Sequence, residues 1–149
     1  MIRIYEVKTS EVAPTLQALY KLHWEEVANY KDKVFLEVDF ELINSLDDKG
    51  RLISIVAEED GDIIGYAMFI ISTHLHYKSL VTAANDVLFL REDKRKSGVG
   101  LKLINESLRI VKEKGATKVT FHIKPNHDFS PLLKRMGFLH EELIYGKLL

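Results

Sequence analysis

The sequence predicts an α/β fold: a mixed, mostly antiparallel central sheet of six or seven strands flanked by about four helices. Three observations predict it. Two β-branched runs, residues 52–58 and 63–72, flank Glu59-Asp60-Gly61-Asp62, and an Asp-Gly turn between such runs signals a hairpin. Apolar residues recur at helical spacing early in the chain and again over residues 99–114. The second half reads strand, helix, strand (80–90, 99–114, 119–123), the order of a parallel crossover.

Taken in order, residues 2–6 alternate and predict a short strand. Thr9 or Ser10 is placed to cap a helix whose one face carries Val12, Leu16, Leu19, Tyr20, His23, Val27 and Tyr30. Pro14 falls in its first turns, where few backbone donors are needed. A second short helix starts near Asp39, with Phe40, Ile43 and Leu46 three apart and Gly50 at its end. The hairpin follows, then a polar connection over 73–79 and a strand over 80–90. Residues 92–98 form a charged turn. The next helix carries Leu101, Ile104, Leu108 and Val111 on one face and stops at Gly115. After the strand at 119–123, Asp128 or Ser130 caps a short helix ending at Gly137, and residues 138–148 read as one or two strands.

The 149 residues are 46% hydrophobic and 29% charged, the balance of one soluble globular domain, 1–149, and not of a disordered chain. A net charge of −1 gives no long-range attraction to nucleic acid or anionic lipid, so neither is expected as a partner. Zero Cys excludes a disulfide scaffold, a thiolate zinc site and a cysteine nucleophile, and fits a reducing, cytoplasmic setting. The start has no long apolar run, so no signal peptide is expected, and no stretch of 18 apolar residues predicts a membrane span.

The segment from Leu88 to Leu101 is the most informative. An apolar strand end runs into a basic turn, then Gly98 and Gly100, then a helix. Glycine lets backbone approach a ligand and take positive φ. The first amides of the helix have no internal partner, and the helix dipole adds about half a positive charge there. With Arg95 and Lys96 alongside, the turn suits a diphosphate. A dinucleotide fingerprint is half present, but Leu103 stands where its third Gly belongs. A phosphate loop of the G-x-x-x-x-G-K type is absent. A solvated charged turn leading into a glycine helix start is the plain alternative.

Arg95-x-x-Gly98-x-Gly100 after a strand resembles the acyl-CoA pyrophosphate motif, Arg/Gln-x-x-Gly-x-Gly/Ala, of the GNAT superfamily of N-acetyltransferases. Asn126 and then Leu133-Lys134-Arg135-Met136-Gly137-Phe138 resemble the family's Asn…Tyr-x-x-x-Gly-Phe segment at its usual spacing, and the element order agrees over essentially the whole chain. The resemblance implies a splayed gap between the fourth and fifth strands that takes acetyl-CoA as acyl donor, with no metal. It implies that backbone groups of Leu88, Phe89 and Leu90 pair with the pantetheine arm and thioester. Arg95 and the amides of Lys96, Ser97, Gly98, Val99, Gly100 and Leu101 would hold the pyrophosphate. Asn126 would bond the pantetheine, or else be an ordinary turn residue after Pro125.

The implied reaction is attack of an amine on the thioester, with a backbone amide near Phe89 or Leu90 stabilising the developing oxyanion. An amine of pKa ~10 must first lose a proton, at a cost of about 4 kcal/mol at neutral pH, so a base helps. Asp86 stands where many relatives carry Glu, and the alternative for it is a strand-end or bulge residue facing solvent. The sequence departs from the family at Leu133, where a Tyr general acid is frequent. Ser130, one turn earlier, is a candidate acid by position and equally a helix cap, with Tyr30 and His127 as weaker candidates. Alternatively the thiolate leaves unprotonated, since thiol pKa values near ~8.5 make it a tolerable leaving group.

Trp24 and Tyr30 sit where relatives place substrate-facing residues, against ordinary aromatic packing as the alternative. His23 reads as a satisfied, partly buried residue rather than a catalyst. His74-x-His76 has no third ligand within motif spacing, so no metal is expected. Glu25, Glu26, Asp32, Glu37 and Asp39 make the acceptor side acidic, which favours a cationic amine. The expected function is acetyl transfer to a primary amine of a small molecule or protein; the alternative is a non-catalytic acyl-CoA-binding or protein-interaction module. Relatives often dimerise through their C-terminal strands, so the resemblance also implies a homodimer.

Overall fold

In the computed structural model, which describes residues 1–149, strand β1 (Ile2–Val7) runs antiparallel to β2 (Leu52–Glu59) at one edge of the sheet. Strand β2 turns into β3 (Asp62–Thr73) through Asp60 and Gly61 alone, at φ 51° and 95°. Positive φ at both positions is what a two-residue hairpin needs to match strand twist. Strand β4 (Val81–Leu90) is antiparallel to β3, and β5 (Lys118–Thr120) is parallel to β4, as the crossover predicts. The spatial order is β1-β2-β3-β4-β5.

The sheet therefore has five strands, not the six or seven expected. Residues 138–149 form no strand, and Leu139, Leu143, Ile144 and Tyr145 are exposed. Their apolar side chains suit a strand, but the edge beside them is the three-residue β5, which offers too short a ladder to pair with.

Helices α1 (Thr9–Val27) and α2 (Phe40–Asp48) cover one face of the sheet. There Leu16, Leu19 and Tyr20 pack on Leu52, Val56, Tyr66, Met68 and Phe89. Helix α3 (Val99–Glu113) covers the other face, where Val99, Leu103, Ile110 and Val111 pack on Ile53, Ile55, Ile64 and Phe69. Strand β2 supplies alternate residues to both cores, as the period of two requires. Helix α4 (Ser130–Arg135) is short.

Two local expectations change. Helix α1 opens at Lys8 with no side-chain cap. Thr9 is drawn instead into tertiary bonds, its amide donating to Asp47 Oδ2 at 3.0 Å and its hydroxyl lying 2.8 Å from Ser54 Oγ. Helix α1 also stops at Val27, and Tyr30 lies beyond it at φ 57°. His74 and His76 lie past the end of β3, in the polar connection expected there. Helix α2 starts where expected, and Asp39 caps it, accepting from Leu42 N at 2.9 Å. No helix is long and apolar enough to cross a membrane.

Candidate active site

The site begins with a bulge. Met68 faces Val87 while Phe69 faces Asn85, which leaves Asp86 as the extra residue of β4. A bulge bends its strand and increases local twist. The buried Asn85 amide donates to Met68 O at 3.1 Å and Val87 O at 2.8 Å, satisfying the carbonyls on either side of the irregularity. Gly65 supports the same bend: a Cβ there would lie 2.7 Å from Phe89 O, so only glycine lets β3 approach β4 so closely.

Strand β5 pairs with β4 only from Thr82 to Ala84. Past the bulge the two chains part, and a cavity of about 760 Å³ opens beside β4. The expected gap between the fourth and fifth strands is thus present. Leu88, Phe89 and Leu90 line its β4 wall, and Asp86 lies in it, exposed and with no hydrogen-bond or ion-pair partner. His122, Lys124, His127, Phe129, Leu132 and Arg135 belong to the opposite wall.

At the end of β4, a 3-10 turn over Glu92–Lys94 leads to α3. Lys96 and Gly98 take left-handed backbone at φ 63° and 84°. No side chain caps α3 at Gly98, so the first amides of the helix have no side-chain partner, and a Cβ at Gly98 would meet nothing within 4 Å. Arg95, Lys96, Gly98, Gly100 and Leu101 line the cavity. Ser97 and Val99 do not: the Ser97 hydroxyl donates to Lys94 O at 2.6 Å, and Val99 is buried in the α3 core.

Arg95 is already engaged. Its Nε donates to Leu90 O at 2.8 Å, its Nη2 reaches Glu26 Oε2 at 2.6 Å, and its guanidinium lies 5.7 Å from the Phe89 ring centroid. The end of α1 gains two more ties from the far wall. Lys124 Nζ donates to Val27 O at 2.8 Å, and His127 Nε2 lies 3.0 Å from Glu26 O. The last carbonyls of a helix lack internal partners and carry its negative dipole end, so cationic and N–H donors suit them.

The α1 side of the cavity holds His23, which local pattern placed on the apolar face. Its Nδ1 is 2.8 Å from the Tyr66 hydroxyl, and its ring stacks on Phe89 at 5.1 Å and 28°. Burial lowers the His23 pKa to about 4, with Lys124, His127 and Arg95 acting in the same direction and Glu26 against. Burial also pushes the Tyr66 hydroxyl well above its ordinary range.

Of the remaining sequence candidates, Trp24, Tyr30, Asn126 and Ser130 do not line the cavity. Asn126 lies in the 3-10 turn Pro125–His127, and Ser130 opens α4 with its amide donating to Asp128 Oδ1 at 2.8 Å. Leu132 and Arg135 of α4 and Phe129 just before it face the cavity, while Leu133 is buried. Their spacing by three was readable as one helix face, whereas His122 and Lys124 carried no local signal. No group of three His, Asp or Glu side chains is placed to hold a metal ion.

The model of the acetyltransferase (GNAT) family matches residues 16–138. No curated protein sequence matches significantly. Among solved structures, the chain resembles an aminoglycoside acetyltransferase from an uncultured soil metagenomic sample, in complex with sisomicin. That match has 18% identity and TM-score 0.77, over 99% of this chain and 95% of that one. It also resembles the ribosomal-protein-alanine N-acetyltransferase of Brucella melitensis biovar Abortus (15%, TM-score 0.75, 99% of both chains). A third is a predicted acetyltransferase of Clostridium acetobutylicum with acetyl-CoA (15%, TM-score 0.73, 99% and 96%).

Proposed function

The chain belongs to the acetyltransferase (GNAT) family, and on that footing we propose that it moves an acetyl group from acetyl-CoA to a primary amine, with both substrates held in one cavity. The observation that carries this reading is the gap past the β4 bulge, running beside the left-handed Gly98 at the head of α3. The fit to an acyl-CoA is physical: a slot between parting strands, helix-start backbone amides that no side chain caps, and Lys96 free of ion pairs beside them.

Bound acetyl-CoA supplies a thioester carbonyl carbon open to attack by nitrogen. The first amides of α3 and Lys96 hold the diphosphate through hydrogen bonds and helix dipole. The edge of β4 at Leu88, Phe89 and Leu90 offers backbone groups to the pantetheine arm. An amide near Phe89 or Leu90 takes the charge that develops on the carbonyl oxygen. Asp86 accepts the proton the amine nitrogen loses. The N–C bond forms, the C–S bond breaks, and sulfur leaves as thiolate. Leu133 is buried and Ser130 lies outside the cavity, so His122 or His127 of the cavity wall returns a proton to the thiolate.

The acceptor is a primary amine on a small molecule, a peptide N-terminus or a lysine; residues on the α1 side, and not the fold, set that choice. The Leu at position 133 favours the second reading, an acyl-CoA-binding module without turnover. Protein mixed with acetyl-CoA, an amine panel and a thiol reagent separates the two. Amine-dependent thiol release supports the transferase; CoA binding without release on any amine supports the module.

A further inference from the structure

We propose that His23 selects the acceptor: its Nε2–H donates a hydrogen bond into the cavity to a hydroxyl or carbonyl oxygen carried by the amine substrate. This rests on the transfer reaction proposed above and names the class of amine it takes.

The argument starts from Tyr66, a side chain only 1% exposed. Its hydroxyl has His23 Nδ1 as its hydrogen-bond partner, at 2.8 Å. A neutral imidazole carries one proton on either nitrogen. With that proton on Nδ1, it would donate to the Tyr66 oxygen, and the phenolic proton would be buried without an acceptor. With it on Nε2, the phenol donates to Nδ1 and both groups are satisfied. The second arrangement is the one burial permits. Stacking on Phe89 and edge contact with Tyr66 at 5.8 Å and 70° then hold the ring in place.

The other nitrogen is therefore an N–H donor. Nε2 makes no hydrogen bond to protein, yet it is not among the sealed, unpartnered buried atoms, and His23 lines the cavity. The low basicity imposed by burial keeps the ring uncharged at neutral pH, so His23 donates without acting as a base.

Its position sets the ligand. The diphosphate end of the cavity lies at the start of α3, on one face of the sheet. His23 belongs to α1, on the other face. A donor at that end meets the acceptor. Asp86, the unpaired carboxylate of the same cavity, takes the ammonium or its proton. An amine bearing a nearby oxygen satisfies both groups, as in amino alcohols and amino-acid amides. A simple alkylamine leaves the His23 N–H unmatched, and a site built around a hydrogen bond discriminates against the analogue that lacks it.

The test uses isosteric pairs, 2-aminoethanol against propylamine and glycinamide against isobutylamine. The paired variant His23→Phe with Tyr66→Phe removes both polar groups, so that neither is orphaned. It is expected to lower kcat/KM for the oxygenated amines about tenfold more than for their alkylamine partners, mainly through KM. Equal losses for both members of each pair overturn the proposal. A second measurement needs neither a variant nor turnover. Two-bond 15N–1H spectra of the wild-type protein at pH 7 should place the His23 proton on Nε2, and 2-aminoethanol, but not propylamine, should shift that signal. A proton on Nδ1, or an equal response to both amines, overturns the assignment. If no amine is acetylated while both spectral results appear, the transfer reading alone fails.

Discussion

Arg95 Nη2 lies 2.6 Å from Glu26 Oε2, joining the basic turn after β4 to the last turn of α1. The guanidinium that the resemblance assigns to the diphosphate is thus shared with a carboxylate of the acceptor side. Both side chains are partly exposed, at 36% and 28%, so the pair is screened and its net worth is about 1 kcal/mol or less. Replacing Glu26→Gln frees Arg95 and should tighten CoA binding by about fivefold or less. Calorimetric titration with CoA measures it. Weaker binding in the variant would mean that Glu26 orients Arg95 toward the phosphates instead of competing with them.

The head of α3 gives the most direct test of the cofactor site. A Cβ added at Gly98, whose φ is 84°, would meet nothing within 4 Å, and one at Gly100 would lie 3.8 Å from Leu90 Cδ2. Gly98→Asp combined with Gly100→Asp places two carboxylates where the phosphates belong and strains the left-handed backbone. CoA binding should be lost. Unchanged affinity would remove the glycine turn from the site.

Asp86 owes its exposure to the bulge, which leaves it without a partner residue on β3. Asp86→Ala should lower turnover about 10²-fold or more near neutral pH while CoA affinity stays the same. The deficit should shrink at high pH, where the free amine no longer needs a base. A turnover profile superimposable on the wild type at every pH would make Asp86 structural.

His23 makes stability depend on pH with a definite sign. Its folded pKa is lowered to about 4 from an ordinary 6.5. Between those values the unfolded chain binds a proton that the folded protein refuses, so stability falls as pH drops from 6.5 toward 4. The full loss, below that window, is on the order of 3 kcal/mol. Urea unfolding of the wild type and of His23→Gln at pH 7 and pH 4.5 measures the effect. The wild type should lose more stability than the variant across that step; equal losses would exclude His23 as the cause.

Local chemistry alone determined several parts of this protein. The Asp60-Gly61 turn, the Asp39 cap and the left-handed Gly98 each follow from the φ and hydrogen-bonding preferences of one or two residues. The crossover through α3 followed from apolar periodicity and element order, and with it the place of the cofactor turn. Those signals act over a few residues, so they can be read without knowing what packs nearby.

The tertiary structure decided the rest. Glu26 and Arg95 meet across 69 positions, and His23 and Tyr66 across 43. Neither pairing has a local signature, because each depends on how the bulge at Asp86 bends β4 and on which helix covers that face. The same limit explains the tail. Residues 138–148 read as strand by composition, but a strand exists only where a neighbouring backbone completes its hydrogen bonds, and the short β5 does not.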